Sequence, residues 1–153
     1  HKILFTYPNA DDGGSTIIEY INNYVSKDTE RCLAVPSLGQ EKYLSALFLC
    51  DLVIGNSSSG LIEAPSAGVP SVNIGDRQLN RASAASVINT KNDINKIVKS
   101  INLGLSLEFK ETKDIYDNPY GTGNTSERII KYIKEIDLSN KKVFYDLISK
   151  ETV

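Results

Sequence analysis

The sequence predicts an α/β fold: an open parallel sheet with helices on both faces. Three observations carry that prediction. Short runs rich in β-branched and aromatic residues alternate about five times with stretches whose apolar residues recur at helical spacing. The connections between them are short, as parallel α/β units require. Polar or glycine-rich loops at 8–14, 55–60 and 75–81 fall where strands end, and such sheets take ligands at the carboxyl ends of their strands.

The elements follow in order. Lys2 to Tyr7, "KILFTY", is a β-rich run closed by Pro8, and "NADDGG" is the loop after it. From Ser15 to Val25, Ile17, Ile18, Ile21 and Val25 keep helical spacing. "RCLAV" (31–35) is a second strand, ended by Pro36. "QEKYLSALFLC" (40–50) is a helix with Tyr43, Leu44, Leu47 and Phe48 on one side. "LVIG" (52–55) is a third strand, followed by a short helix over 59–67. "PSVNIG" (70–75) is a fourth strand, with Pro70 at its start where proline is tolerated. "SVINT" (86–90) is the fifth.

In the helix over 92–101, Ile94, Ile97, Val98 and Ile101 form one stripe, and a shorter helix runs through Leu107 and Phe109. "NPYGTGN" (118–124) is a glycine-rich loop. Asn124 stands three residues before Glu127, a capping-box-like start for a helix carrying Ile129, Ile130, Ile133 and Ile136. "NKKVFYDLIS" (140–149) reads as a further helix. Residues 2–137 thus form the expected domain and 138–153 a helical extension.

A chain of 153 residues can bury one sizeable core, and 41% apolar with 24% charged residues excludes disordered and fibrous classes. The net charge of −2 offers no global attraction to nucleic acid or to a membrane surface, so any anion must be held by local groups. No apolar run approaches the roughly 20 residues of a bilayer span. Cys32 and Cys50 sit in apolar contexts outside any Cys-x-x-Cys pair, which points to buried thiols and a reducing, cytoplasmic setting. The chain starts at His1 and holds no methionine, and therefore reads as a piece of a longer protein, with His1 a tag remnant.

The chemistry concentrates in "VIGNSSSGLIEAPSAGVP" (53–70). Unpaired N–H groups and the helix dipole favour an anion at a helix start. The hydroxyls of Ser57, Ser58 and Ser59 can each donate to a phosphate oxygen, and Gly60 allows close approach to the backbone. There is no Gly-Lys-Ser/Thr, so this is not a magnesium-triphosphate loop. The alternative is a plain helix cap, which needs only one serine. Glu63 is one turn into the helix, with Gly60 where a capping box would need Ser or Thr, and its carboxylate can accept a pair of sugar hydroxyls. Arg77 and Arg81, in "GDRQLNR" (75–81), carry the forked guanidinium that suits phosphate, or are a solvated pair.

Taken together, "PNADDGG", "IGNSSSGLIEAPSAGVPSVNIGDRQLNR" and "NPYGTGNTSERIIKYIKEIDL" resemble the hydrolysing UDP-N-acetylglucosamine 2-epimerases of sialic acid and related nonulosonate biosynthesis. The resemblance spans nearly the whole chain. It implies the second, carboxyl-terminal half of a two-domain, Rossmann-like fold of the glycosyltransferase-B type. It further implies that Ser57 and Ser58 hold the diphosphate, that Glu63 holds the ribose hydroxyls, and that Asn9 and Arg77 line the same cleft. Backbone around Ser37 and Leu38 would pair with uracil.

The implied reaction eliminates UDP from UDP-N-acetylglucosamine and hydrates the unsaturated sugar to N-acetylmannosamine, without metal or nicotinamide. The acid–base groups would lie in an amino-terminal domain outside this chain, so no catalytic residue is assigned. The resemblance is compatible with a homo-oligomer of the full-length protein. Rivals are a sugar transferase of the same architecture and a non-catalytic nucleotide-sugar sensor. Two positions depart from the family pattern: Gly121-Thr122-Gly123 where relatives often have Gly-Asp-Gly, and Asn80 where many have glycine.

Overall fold

The computed structural model describes residues 1–112, 117–121 and 123–137. The extension expected over 138–153 and Thr122 lie outside the described residues. The chain divides into two units, His1–Tyr120 and Gly121–Val153. In the first, strands and helices alternate as β1 (Ile3–Thr6), α1 (Gly14–Val25), β2 (Cys32–Val35), α2 (Gly39–Leu49), β3 (Val53–Gly55), α3 (Ser59–Ser66), β4 (Ser71–Ile74), β5 (Val87–Thr90), α4 (Ile94–Leu105) and α5 (Leu107–Thr112). The described part of the second is α6 (Thr125–Glu135) and its flanks.

All strand pairs are parallel. Ile3 to Thr6 of β1 stand opposite Cys32 to Val35 of β2. Val53 to Gly55 of β3 stand opposite Ser71 to Asn73 of β4, which in turn faces β5 from Ser71↔Val87 to Ile74↔Thr90. The parallel α/β expectation is met, with the ladder hydrogen bonds divided into a pair, β1-β2, and a triplet, β3-β4-β5.

The triplet has a helix on each face. Side chains alternate along β4, so Ser71 and Asn73 point one way and Val72 the other. On the first face Gly60 of α3 lies over Ser71, whose hydroxyl donates to the Gly60 carbonyl at 2.6 Å. On the other face α4 presses in at Gly104, where a Cβ would stand 2.6 Å from Leu52 Cδ1 and 3.3 Å from Ile88 Cδ1. A side chain there would have to displace the ends of Leu52 and Ile88, and glycine avoids that. Leu61, Ala64, Val69, Val72 and Ala84 are buried around β4.

α3 closes sharply. The Val69 N–H reaches the Ala64 carbonyl and the Gly68 N–H the Pro65 carbonyl, with Gly68 at φ 70°. This is the paired-bond ending that favours glycine just past a helix, and Pro70 follows it. α4 starts with Asp93, whose side chain accepts from the Lys96 N–H at 2.9 Å.

Some expectations are corrected. Asn124 does not cap α6 with its side chain: it sits at φ 59°, in the left-handed region, away from the extended geometry that a side-chain cap uses. Phe48 of α2 and Ile94 and Val98 of α4 are exposed, so only part of each apolar stripe is covered. Among the described residues no helix is long and apolar enough to cross a membrane.

Candidate functional site

The site grows from the turn between β3 and α3. The Ser57 hydroxyl accepts the Ser59 N–H at 3.3 Å, and the Ser57 carbonyl accepts the Gly60 N–H at 3.2 Å. The Ser58 carbonyl takes both the Leu61 and Ile62 N–H groups at 3.0 Å. The Ser57 side chain thus closes the turn before the helix, while Ser58, at the cap position, makes no side-chain cap bond. The N–H groups of Ser57 and Ser58 are left without an acceptor among the described residues. Two orphan donors beside a helix's positive end are what an anion needs.

The remaining positions of the motif divide their work. Ser59 is half-buried and its hydroxyl pairs with that of Tyr43, from α2. Ser58 is half-buried, and its hydroxyl has no partner among the described residues. Gly60 is buried against Ser71, so the room left by its missing side chain faces β4. Glu63 is half-buried one turn on, and among the described residues its carboxylate has neither an ion-pair nor a hydrogen-bond partner. A recess of about 30 Å³ lies beside the turn, lined among others by Tyr43, Gly55, Ser57, Ser59 and Asn73. It is far too small to hold a nucleotide.

The loop after β4 abuts this turn. Hydrogen bonds from the Leu79 N–H to the Asp76 carbonyl (2.8 Å) and from the Arg81 N–H to the Gln78 carbonyl (3.2 Å) make two successive turns. Asn80 adopts φ 66°. Asparagine enters the left-handed region more readily than other side chains, so it can hold a backbone path that also suits glycine. Arg77 and Arg81 are exposed and form no ion pair among the described residues. Gln78, between them, is buried at 6% exposure and donates Nε2–H to the Asn56 carbonyl at 2.8 Å. That bond sets the arginine loop against the serine loop.

Asn118 fastens the far end of α3: its Nδ2 donates to the Ile62 carbonyl (2.8 Å) and to the Ser66 hydroxyl (2.6 Å). The Tyr120 hydroxyl donates to the Ala82 carbonyl at 3.0 Å, just past Arg81.

Asn9 and Leu38 belong to the other strand set. Asn9 is exposed after β1, and its carbonyl oxygen would lie 2.7 Å from a Cβ on Gly14, which keeps residue 14 a glycine. Leu38 immediately precedes α2, where the Ser37 hydroxyl accepts the Gly39 N–H at 3.2 Å. The fold thus brings Ser57, Ser58, Glu63, Arg77 and Arg81 onto one helix start and its neighbouring loop. Asn9 and Leu38 stand at the ends of β1 and β2.

Sequence reasoning missed Tyr43, Gln78 and Asn118. Tyr43 is hidden in an apolar helical stripe, and nothing local marks Gln78 as buried. The Asn-Pro step at 118 signals a turn but not its partner. Elsewhere in the chain, burial pushes the Cys50 thiol up, and the hydrogen bond from Arg31 holds the Asp28 carboxyl down. Among the described residues no His, Cys, Asp and Glu side chains group as a metal site.

Parallel strands, helices on both faces and a serine turn at a strand's carboxyl end define a Rossmann-like α/β domain. The sequence profile of UDP-N-acetylglucosamine 2-epimerase matches residues 1–134, and the chain belongs to that family. It is 36% identical over 150 residues to the GDP/UDP-N,N'-diacetylbacillosamine 2-epimerase (hydrolysing) of Campylobacter jejuni. It is 38% identical over 151 residues to the polysialic acid biosynthesis protein P7 of Escherichia coli. These matches cover 95% and 96% of the chain but only 38% of either relative, so the chain spans well under half of their length. Its fold is similar to that of Methanocaldococcus jannaschii UDP-GlcNAc 2-epimerase, solved in complex with UDP-GlcNAc and UDP. There the TM-score is 0.62 at 17% identity, over 87% of this chain and 35% of that one.

Proposed function

We propose that this chain is the UDP-binding, carboxyl-terminal domain of a hydrolysing UDP-N-acetylglucosamine 2-epimerase. The observation that carries the reading is the pair of N–H groups at Ser57 and Ser58 that meet no acceptor among the described residues, flanked by a loop bearing Arg77 and Arg81. In the proposed reaction the C1–O bond of UDP-N-acetylglucosamine breaks as the C2 proton leaves, releasing UDP and an unsaturated sugar. Water then adds across that double bond to give N-acetylmannosamine. Charge develops on the departing diphosphate, and donors already fixed in place stabilise it without reorganising. Ser57, Ser58, Arg77 and Arg81 supply that stabilisation, and Glu63 accepts the ribose hydroxyls. Asn9 lines the same cleft as Arg77, and the backbone around Ser37 and Leu38 pairs with the uracil.

Proton transfers fall to the amino-terminal domain of the full-length protein, working in the cytoplasm in the sialic acid branch of amino-sugar synthesis. The family membership and the length of the relatives support this division.

The test is calorimetric titration of full-length protein with UDP, beside a Glu63→Ala variant. The variant should bind more weakly by about 1–3 kcal/mol, the cost of leaving buried ligand hydroxyls without an acceptor. Equal affinity would remove Glu63 from the site, and release of free N-acetylmannosamine separates an epimerase from a sugar transferase or a sensor.

A further inference from the structure

We propose that Gln78 is a positioning residue, which aims the Ser57 N–H at the ligand's phosphate by holding the Asn56 carbonyl. The proposal rests on the anion-cradle reading of the serine turn. Every described peptide bond is trans, so the Asn56 carbonyl and the Ser57 N–H lie in one plane and point in opposite directions. A side chain that grips the carbonyl therefore fixes where the N–H points. Gln78 grips it through Nε2 at 2.8 Å, from a side chain almost wholly buried between the two arginine positions. The Ser57 N–H on the other side of that plane is one of the two donors that meet no acceptor among the described residues.

A second observation separates this role from packing. The Gln78 Oε1 is buried and has no donor among the described residues. An unsatisfied buried acceptor is costly, and an unbranched apolar side chain of similar volume would fill the space without that cost. What the amide adds over a methionine is its donor end. The same bond sets the spacing between the two anion-binding loops, because Asn56 directly precedes Ser57 and Gln78 directly follows Arg77.

The experiment compares full-length wild type with Gln78→Met, titrating UDP, inorganic pyrophosphate and uridine, with thermal unfolding alongside. Affinity for UDP and for pyrophosphate should fall about tenfold, the worth of one well-placed donor to a charged group. Uridine affinity should not change, and the melting temperature should hold or rise. Equal losses for all three ligands, or no loss for any, would overturn the positioning role. If Gln78→Met does not fold, Gln78→Leu, which is neutral and also lacks the donor, must show the same selective loss. Wild type that binds pyrophosphate but not UDP would defeat the nucleotide reading, while the selective loss of pyrophosphate still tests Gln78. Wild type that binds neither would defeat both.

Discussion

The two strand sets of the first unit differ in how completely they are covered. In the β3-β4-β5 set, Ser71, Val72 and Asn73 are all buried, Leu61 and Ala64 seal one face, and Gly104 brings α4 hard against the other. In the β1-β2 set, Leu4 and Leu33, in register with one another, are 44% and 58% exposed. The serine turn, Glu63 and the arginine loop all hang from the covered set. Binding groups held on a well-packed scaffold lose little freedom when a ligand arrives, and that is the condition for preorganised donors. The open set carries Asn9 and Leu38 beyond its strand ends, and its apolar side chains stay exposed.

Mutations can break that contrast. The largest expected effect is Leu61→Ala, at about 2–5 kcal/mol of unfolding free energy in a denaturant titration, because it empties a fully buried position between α3 and β4. Gly104→Ala comes next, at about 1–3 kcal/mol, since the added methyl meets Leu52 at 2.6 Å. Leu33→Ala should cost about 1 kcal/mol or less, in keeping with its exposure. A loss at Leu33 near that at Leu61, measured in full-length protein, would mean that another part of the molecule covers β2.

The smallest effect concerns the turn into β2, where Arg31 Nε donates to Asp28 at 2.7 Å. The hydrogen bond from Arg31 depresses the Asp28 carboxyl in the folded state. The pair therefore stabilises above the ordinary carboxylate pKa, and its contribution fades as pH falls through the depressed value. Asp28→Asn should flatten that acid limb slightly in pH-dependent melting, and leave neutral stability almost unchanged because both groups are solvent-facing.

The alternation of strands and helices was readable because runs such as "CLAV" and "SVNI" carry their period and their stops, Pro36 and Gly75, within a few residues. The chemistry of the site was readable as residue types: serines after a strand, an acid one turn on, arginines after the next strand. What escaped is pairing between distant segments. Nothing within a few residues of Ser59 says that a tyrosine 16 positions earlier takes its hydroxyl. Nothing near Gln78 says that its amide is buried against Asn56, 22 positions away. Exposure of β1 and β2 was equally out of reach, since an apolar strand looks the same whether or not something covers it.

Helix α3, eight residues and therefore about 12 Å long, is pinned at both ends. Its first turn meets Tyr43 through Ser59, and its last turn is clasped by Asn118 through Ile62 and Ser66. Pro65 lies inside the last turn, where its ring removes one backbone donor, so the Asn118 bonds hold the turn that most needs support. The segment at 118 is thus tied by two hydrogen bonds to the far turn of the same helix whose first turn carries the serines, so the two loops share one short element.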